Sequence, residues 1–239
     1  MSDKKKTSVS KAVTPRVRLV FPHLTEADEF KGVRSFKTKA VLSGDDPKTD
    51  AFIAKVEEEA DAAYSAAVEK LEDKVANGKG REKAKAKEAL GKLEKFMPIE
   101  PVYDDDGEET GDFIFNSKLN EEGKNPNTGK TWKNKVNLVD AKGKAITKKV
   151  SIWGNTIAKL SLELVPFHND ATNQAGVSLR LVGVQIIELV SGGSGRSAES
   201  MGFEEEDGFS ADDIEEFEDE DESEDAAEED EDADADEDF

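Results

Sequence analysis

The side chains of this chain best suited to chemistry are cations and rings, and they recur on alternate residues. PRVRLVF (15–21) places Arg16 and Arg18 between apolar residues, and VRSFKTKAVL (33–42) does the same with Lys37 and Lys39. TWKNKVNLV (131–139) carries Lys133 and Lys135, IAKLSLELVPF (157–167) carries Lys159, and VSLRLVGVQIIEL (177–189) carries Arg180. Successive side chains of an extended strand point to opposite faces. Val17, Leu19 and Phe21 therefore oppose Arg16 and Arg18, and Phe36, Ala40 and Leu42 oppose Lys37 and Lys39. Trp132, Val136 and Leu138 likewise oppose Lys133 and Lys135. Leu160, Leu162 and Leu164 oppose Lys159, and Val177, Leu179 and Leu181 oppose Arg180. Any barrel has a solvated exterior where Lys is common. The same bias on strand after strand, with Glu163 the one acid among these outer faces, favours a surface that neutralises phosphates.

Rings separate the kinds of polyanion such a surface could hold. Single nucleic-acid strands are gripped by aromatic side chains on which bases stack, combined with cations along the backbone. Trp153 is out of phase with Val150 and Ile152, and Phe167 shares a face with Lys159, so both are expected to be stacking platforms. Trp132, Phe113 and Phe115 fall on apolar faces and are expected in the core, while Tyr64 sits in a helical stripe as packing.

Enzyme chemistry has little to work with. His23 and His168 have no partner motif, no phosphate-binding G-x-x-x-x-G-K-[ST] occurs, and no His/Asp/Glu spacing suits a metal. Asp104, Asp105 and Asp106 read as a turn. No catalytic residue, metal or cofactor is expected. The chain has no cysteine, which excludes disulfides and thiolate metal sites and suits a reducing cytoplasm. MSDKKK is not followed by an apolar segment, and the longest apolar runs fall short of the roughly 18–20 residues a membrane span needs. A soluble protein without membrane contact is expected.

The net charge of −22 misleads as an average. No Lys or Arg follows Arg196, whereas 25 of the 55 acidic residues lie from Glu199 onward, leaving 33 bases against 30 acids in residues 1–198. A mildly basic body is joined to a polyanion. A run of like charge with few apolar groups repels itself and is expected to stay disordered.

The elements that must position the cations follow from periodicity. Residues 1–14 read as a flexible basic N-terminus, 15–190 as the folded domain and 191–239 as the acidic tail. Asp46-Pro47 reads as a helix N-cap with Pro in the first turn. From Thr49 to about Val75 the positions Ile53, Val56, Ala60, Tyr64, Val68, Leu71 and Val75 recur at helical spacing, and Asn77-Gly78 ends the stripe. A second, Lys- and Ala-rich helix spans about 81–95, giving a helical insertion over about 47–95. From Phe113 the period returns to two, with strands at 113–119, 131–139, 150–153, 157–167 and 177–189. Residues 130–149 add seven Lys against one Asp. The expected fold is mainly β with an α-helical insertion, an OB-like barrel being the best fit among small barrels. Composition alone also allows a sandwich.

FKTKAVLSGDDPKTDAFIAKVEEEADAAYSAAVEKLE (36–72), VNLVDAKGKAITKKV (136–150), AKLSLELVPF (158–167) and the acidic tail ending in DEDF resemble the single-stranded DNA-binding proteins of T-odd tailed bacteriophages. The resemblance implies an OB fold with an inserted helix, sequence-independent binding of single-stranded DNA, and annealing of complementary strands. It also implies work in phage DNA replication and recombination in the cytoplasm of the infected bacterium. The tail would contact the phage DNA polymerase and helicase-primase, and self-association is left open. Phe167 matches an aromatic that the family uses at its DNA surface. After the F-x-F of 113–119 the family pattern has Lys and then Tyr, where this chain has Asn116 and Lys118. Phe239, with Asp238 and Glu237, reads as a docking tip: a ring fills an apolar pocket on a partner while nearby cations receive the carboxylates. The alternative from another class is an acidic-tailed chaperone or DNA mimic that binds basic proteins through the tail.

Overall fold

The computed structural model describes residues 9–125, 128–148 and 150–191. MSDKKK and the acidic tail, with Glu237, Asp238 and Phe239, lie outside the described residues. Strands β1 (Ser10–Val13), β2 (Val17–Phe30) and β3 (Val33–Leu42) precede helices α1 (Thr49–Asn77) and α2 (Arg81–Lys92). Then come β4 (Glu94–Phe96), β5 (Ile99–Tyr103), β6 (Glu109–Asn120), β7 (Glu122–Lys124), β8 (Thr131–Lys133) and β9 (Asn137–Val139). The long strands β10 (Ile157–Asn169) and β11 (Gln174–Glu188) finish the sheet.

β2, β3, β6, β11 and β10 close into a barrel. β2 runs antiparallel to β3, β3 to β6 and β11 to β10, and β10 returns to β2 at Ala158↔Val17. β6 and β11 meet in parallel at the single registered pair Lys118↔Arg180. A five-strand closed barrel with this one parallel contact is the OB arrangement. Its interior is filled by the faces that alternation assigns to it: Leu19, Leu42, Phe115, Leu160, Leu162, Leu164 and Leu181 are almost wholly buried. Full burial of such a side chain contributes about 1.5–3 kcal/mol each.

The helical insertion joins the barrel at one end and forms a core of its own at the other. Phe52, Val56 and Ala60 of α1 belong to the barrel core, with the Phe52 ring 6.0 Å from that of Phe115. Further along, Ala67 and Leu71 pack with Ala86, Leu93 and Ala175, and Tyr64 and Val68 lie against this second cluster. Gly78 closes α1, its N–H donating to the Lys74 carbonyl at 3.0 Å. The start differs from the expected cap. Asp46 Oδ1 accepts from the Lys48 N–H at 2.9 Å, so Asp46 and Pro47 form a turn ahead of the helix and Lys48 occupies the capping position.

Several further expectations are corrected. The second helix stops at Lys92, because Leu93 turns extended and Glu94–Phe96 pair with β11. The 131–139 stretch divides into β8, which forms a hairpin with β7, and β9, which pairs with β11. Residues 150–153 are not a strand. Ser10–Val13, expected within a flexible N-terminus, pair with β10 from Ser10↔Leu164 to Val13↔Ser161. Asp104 makes the expected turn, its carboxylate accepting from the N–H groups of Asp106 and Glu108 at 3.0 and 2.9 Å.

Candidate nucleic-acid interface

Strand register lines the cations up. His23 is opposite Lys37, Lys37 is opposite Lys118, and Lys118 is level with Arg180. The row continues through Arg180↔Glu163 and Glu163↔Lys11. These residues alternate with the buried core positions of their strands, so their side chains stand on the outside of the barrel. One turn of the pleat away, Lys39 is opposite Val20 on one side and Asn116 on the other.

This face is concave. Two depressions of about 620 and 630 Å³ share Lys118, Ser178 and Leu179 and so form one groove. One half is lined by Phe21, His23, Lys37, Lys39 and Phe96. The other is lined by Trp132, Asn134, Lys135, Glu163 and Arg180. Some of the cations are already partnered. Arg180 holds Glu163 through Nη2 and through Nε at 2.8 Å, and Lys11 approaches the same carboxylate at 3.9 Å. Lys37 pairs with Asp28, and the hydrogen bond from its ammonium keeps the Asp28 carboxyl below the ordinary range. Lys39 and Lys118 have no ion pair among the described residues.

Glu163 is thus not an isolated acid on a basic face. It sits between two cations and sets the resting position of Arg180.

Trp132 corrects a core expectation. Its hairpin stands off the barrel, and the ring is 49% exposed. A Cβ on Gly123 would lie 2.3 Å from the indole, so the ring rests flat against glycine backbone. Its Nε1 donates to Asn134 Oδ1 at 3.0 Å, and Asn134 is tied to the Asn120 carbonyl at 2.9 Å. The indole is fixed on one face and its edge before any ligand arrives. Phe21 corrects another. It was expected to share the core face of Val17 and Leu19, yet it is 76% exposed with φ at +49°.

The structure distributes the remaining expected residues. Lys37, Lys39, Lys135 and Arg180 line the groove. Arg18 stands exposed on β2 and donates to Asn155 Oδ1 at 3.4 Å. Lys133 is exposed on β8, opposite Glu122. Arg16 and Lys159 come together beside Lys48 and Lys55 in a separate depression of about 560 Å³ that shares no lining residue with the groove. Trp153 is 56% exposed in the loop before β10, its N–H held by the Val190 carbonyl at 2.9 Å. Phe167 is half-buried and does not line the groove, its ring edge-on to Phe96 at 5.5 Å. Lys118, Phe21, Phe96 and Trp132 are among the groove residues that sequence reasoning did not choose. Phase alone could have found Lys118, which alternates with Ser117 and Leu119.

The sequence profile described as single-stranded DNA-binding protein, bacteriophage T7, matches residues 12–189. The single-stranded DNA-binding protein of enterobacteria phage T3 is 31% identical over 176 residues, 74% of this chain and 71% of that protein. That of Escherichia phage T7 is 29% identical over 160 residues, 67% of this chain and 64% of its own length. The crystal structure of gp2.5, the single-stranded DNA-binding protein encoded by phage T7, superposes with a TM-score of 0.62 at 23% identity. It covers 85% of this chain and 100% of that one, and the likeness shows a shared fold. With the profile spanning the whole barrel and its helical arm, this chain belongs to the T7-type family of bacteriophage single-stranded DNA-binding proteins.

Proposed function

We propose that this protein binds single-stranded DNA without sequence preference along the groove, as a binding protein rather than an enzyme. The observation that carries the reading is the registered row Lys37, Lys118 and Arg180, set between Phe21 and Phe96 in one half of the groove and Trp132 in the other. Cations spaced by strand register meet phosphates, and rings meet bases, each stacked base adding about 1–3 kcal/mol. Arg16 and Lys159, with Lys48 and Lys55, offer a second cationic patch where a longer strand can continue.

The acidic segment completes the proposal. Its 25 carboxylates from Glu199 onward compete with DNA for the cations of the body. Phe239, with Asp238 and Glu237, docks on replication partners, the phage DNA polymerase and helicase-primase, so that DNA and partner are alternative ligands of one segment. Replication, recombination and strand annealing inside the infected cell are the settings this would serve. The support is a ring among acids: for competition alone another Asp would do as well.

Deleting residues 197–239 tests the reading against that of a DNA mimic. A DNA binder binds a dT oligonucleotide more tightly without them, most visibly at low salt. A mimic loses its ligand with the segment, and its body binds no DNA.

A further inference from the structure

The Phe21 half of the groove is built as more than a charged trough. β2 and β3 fall out of step between Val20↔Lys39 and His23↔Lys37, where Phe21 and Pro22 together face Thr38. Bulges of this kind re-aim a side chain. A bulky residue with φ near +49° is a backbone outlier, and strain of this sort collects at ligand sites. Here it takes a ring out of core phase and exposes it.

Across the groove the barrel wall has a seam. β6 is paired with β5 as far as Phe115↔Ile99 and meets β11 at Lys118↔Arg180. Between those pairs, no strand among the described residues pairs with Asn116 or Ser117 on the edge away from β3. The Ser117 hydroxyl is the one buried side-chain polar atom without a hydrogen bond among the described residues. Phe96 stands beside the seam, steadied by the edge of Phe167. β4 can come this close because Gly176 lies beneath it: a Cβ there would fall 2.2 Å from the Phe96 carbonyl oxygen. Phe21, Phe96, Pro98, Leu179 and Ser117 bound this cavity, and Lys37, Lys39 and Lys118 also line it.

Resting on the DNA-binding reading, we propose that this cavity is a single-base pocket. One nucleobase leaves the stack and enters between Phe21 and Phe96, its polar edge turned to Asn116 on the unpaired edge of β6, while its flanking phosphates meet Lys39 and Lys118. Two rings call for a flat apolar face, and an unpaired strand edge with the exposed Asn116 amide calls for a planar group with donors and acceptors. A nucleobase has both, whereas a phosphate would leave the rings unused. A paired base has its edge already occupied, so the pocket also selects single strands over duplex.

The test uses the full chain and two 12-mers, dT and a phosphodiester strand of the same length lacking bases. Phe21→Ala is expected to weaken dT binding about tenfold, from the loss of one stacked base, and to leave the base-free strand unchanged. Phe21→Trp keeps dT affinity. A central 2-aminopurine in the dT strand is shielded from acrylamide by the wild type and open to it in Phe21→Ala. Equal weakening of both strands, or of neither, overturns the pocket and leaves the DNA-binding reading standing. A wild-type protein that binds neither strand overturns both.

Discussion

Lys37 and Lys118 face one another directly across β3 and β6, two cations at a cross-strand position where like charges oppose folding. Asp28 relieves Lys37, but Lys118 has no ion pair among the described residues. An arrangement that costs the free protein about 0.2–1 kcal/mol makes sense where a polyanion comes to lie across it.

Lys118→Ala is therefore expected to weaken binding to single strands and to reduce the salt slope by about 0.7, the share of one phosphate on a single strand. Thermal stability should be unchanged or slightly raised. Calorimetric melting and a salt titration on the same variant check both halves. A large fall in melting temperature would mean that Lys118 is structural.

Trp132→Ala is expected to weaken oligonucleotide binding by about 1–3 kcal/mol with little change in stability, because Trp132 is 49% exposed and belongs to neither buried core cluster. A core tryptophan would instead lose about 3–5 kcal/mol of folding free energy. Affinity and melting temperature measured together separate these outcomes.

Period-two alternation made the barrel legible: Leu19, Leu42, Leu160, Leu162, Leu164 and Leu181 face inward as their phase requires, and the Lys and Arg that oppose them face outward. The α1 stripe was legible for the same reason, since it must bury one face along its length. Phase failed where the strand itself breaks phase. The Phe21-Pro22 bulge inserts a residue and turns the ring outward, which alternation cannot anticipate. Trp132 failed differently, because β8 ends at Lys133: Val136 lies in the connection that follows and Leu138 in β9, so the three do not share one strand's phase. β4 and β5 are short, and one contains a proline, so they carry too little pattern to be read.

Glu163 holds Arg180 in a surface pair, so a phosphate must displace it. Glu163→Gln should tighten binding a few-fold at low salt, with the gain fading as salt screens the competing carboxylate. Isothermal titration at two salt concentrations decides this. A loss of affinity would mean that the pair positions Arg180 for DNA rather than occupying it.

The central claim is that this one groove binds the strand. It is tested most directly by the affinity of the full chain for a dT oligonucleotide between about 50 and 200 mM salt, for wild type and for the triple variant Lys37→Ala, Lys118→Ala, Arg180→Ala. For single strands log K falls with log salt by about 0.7 per neutralised phosphate. The account predicts measurable wild-type binding with that dependence and, in the triple variant, weaker binding with a slope shallower by about 2. A triple variant that binds with wild-type affinity and slope would place the strand elsewhere on the protein and contradict the account.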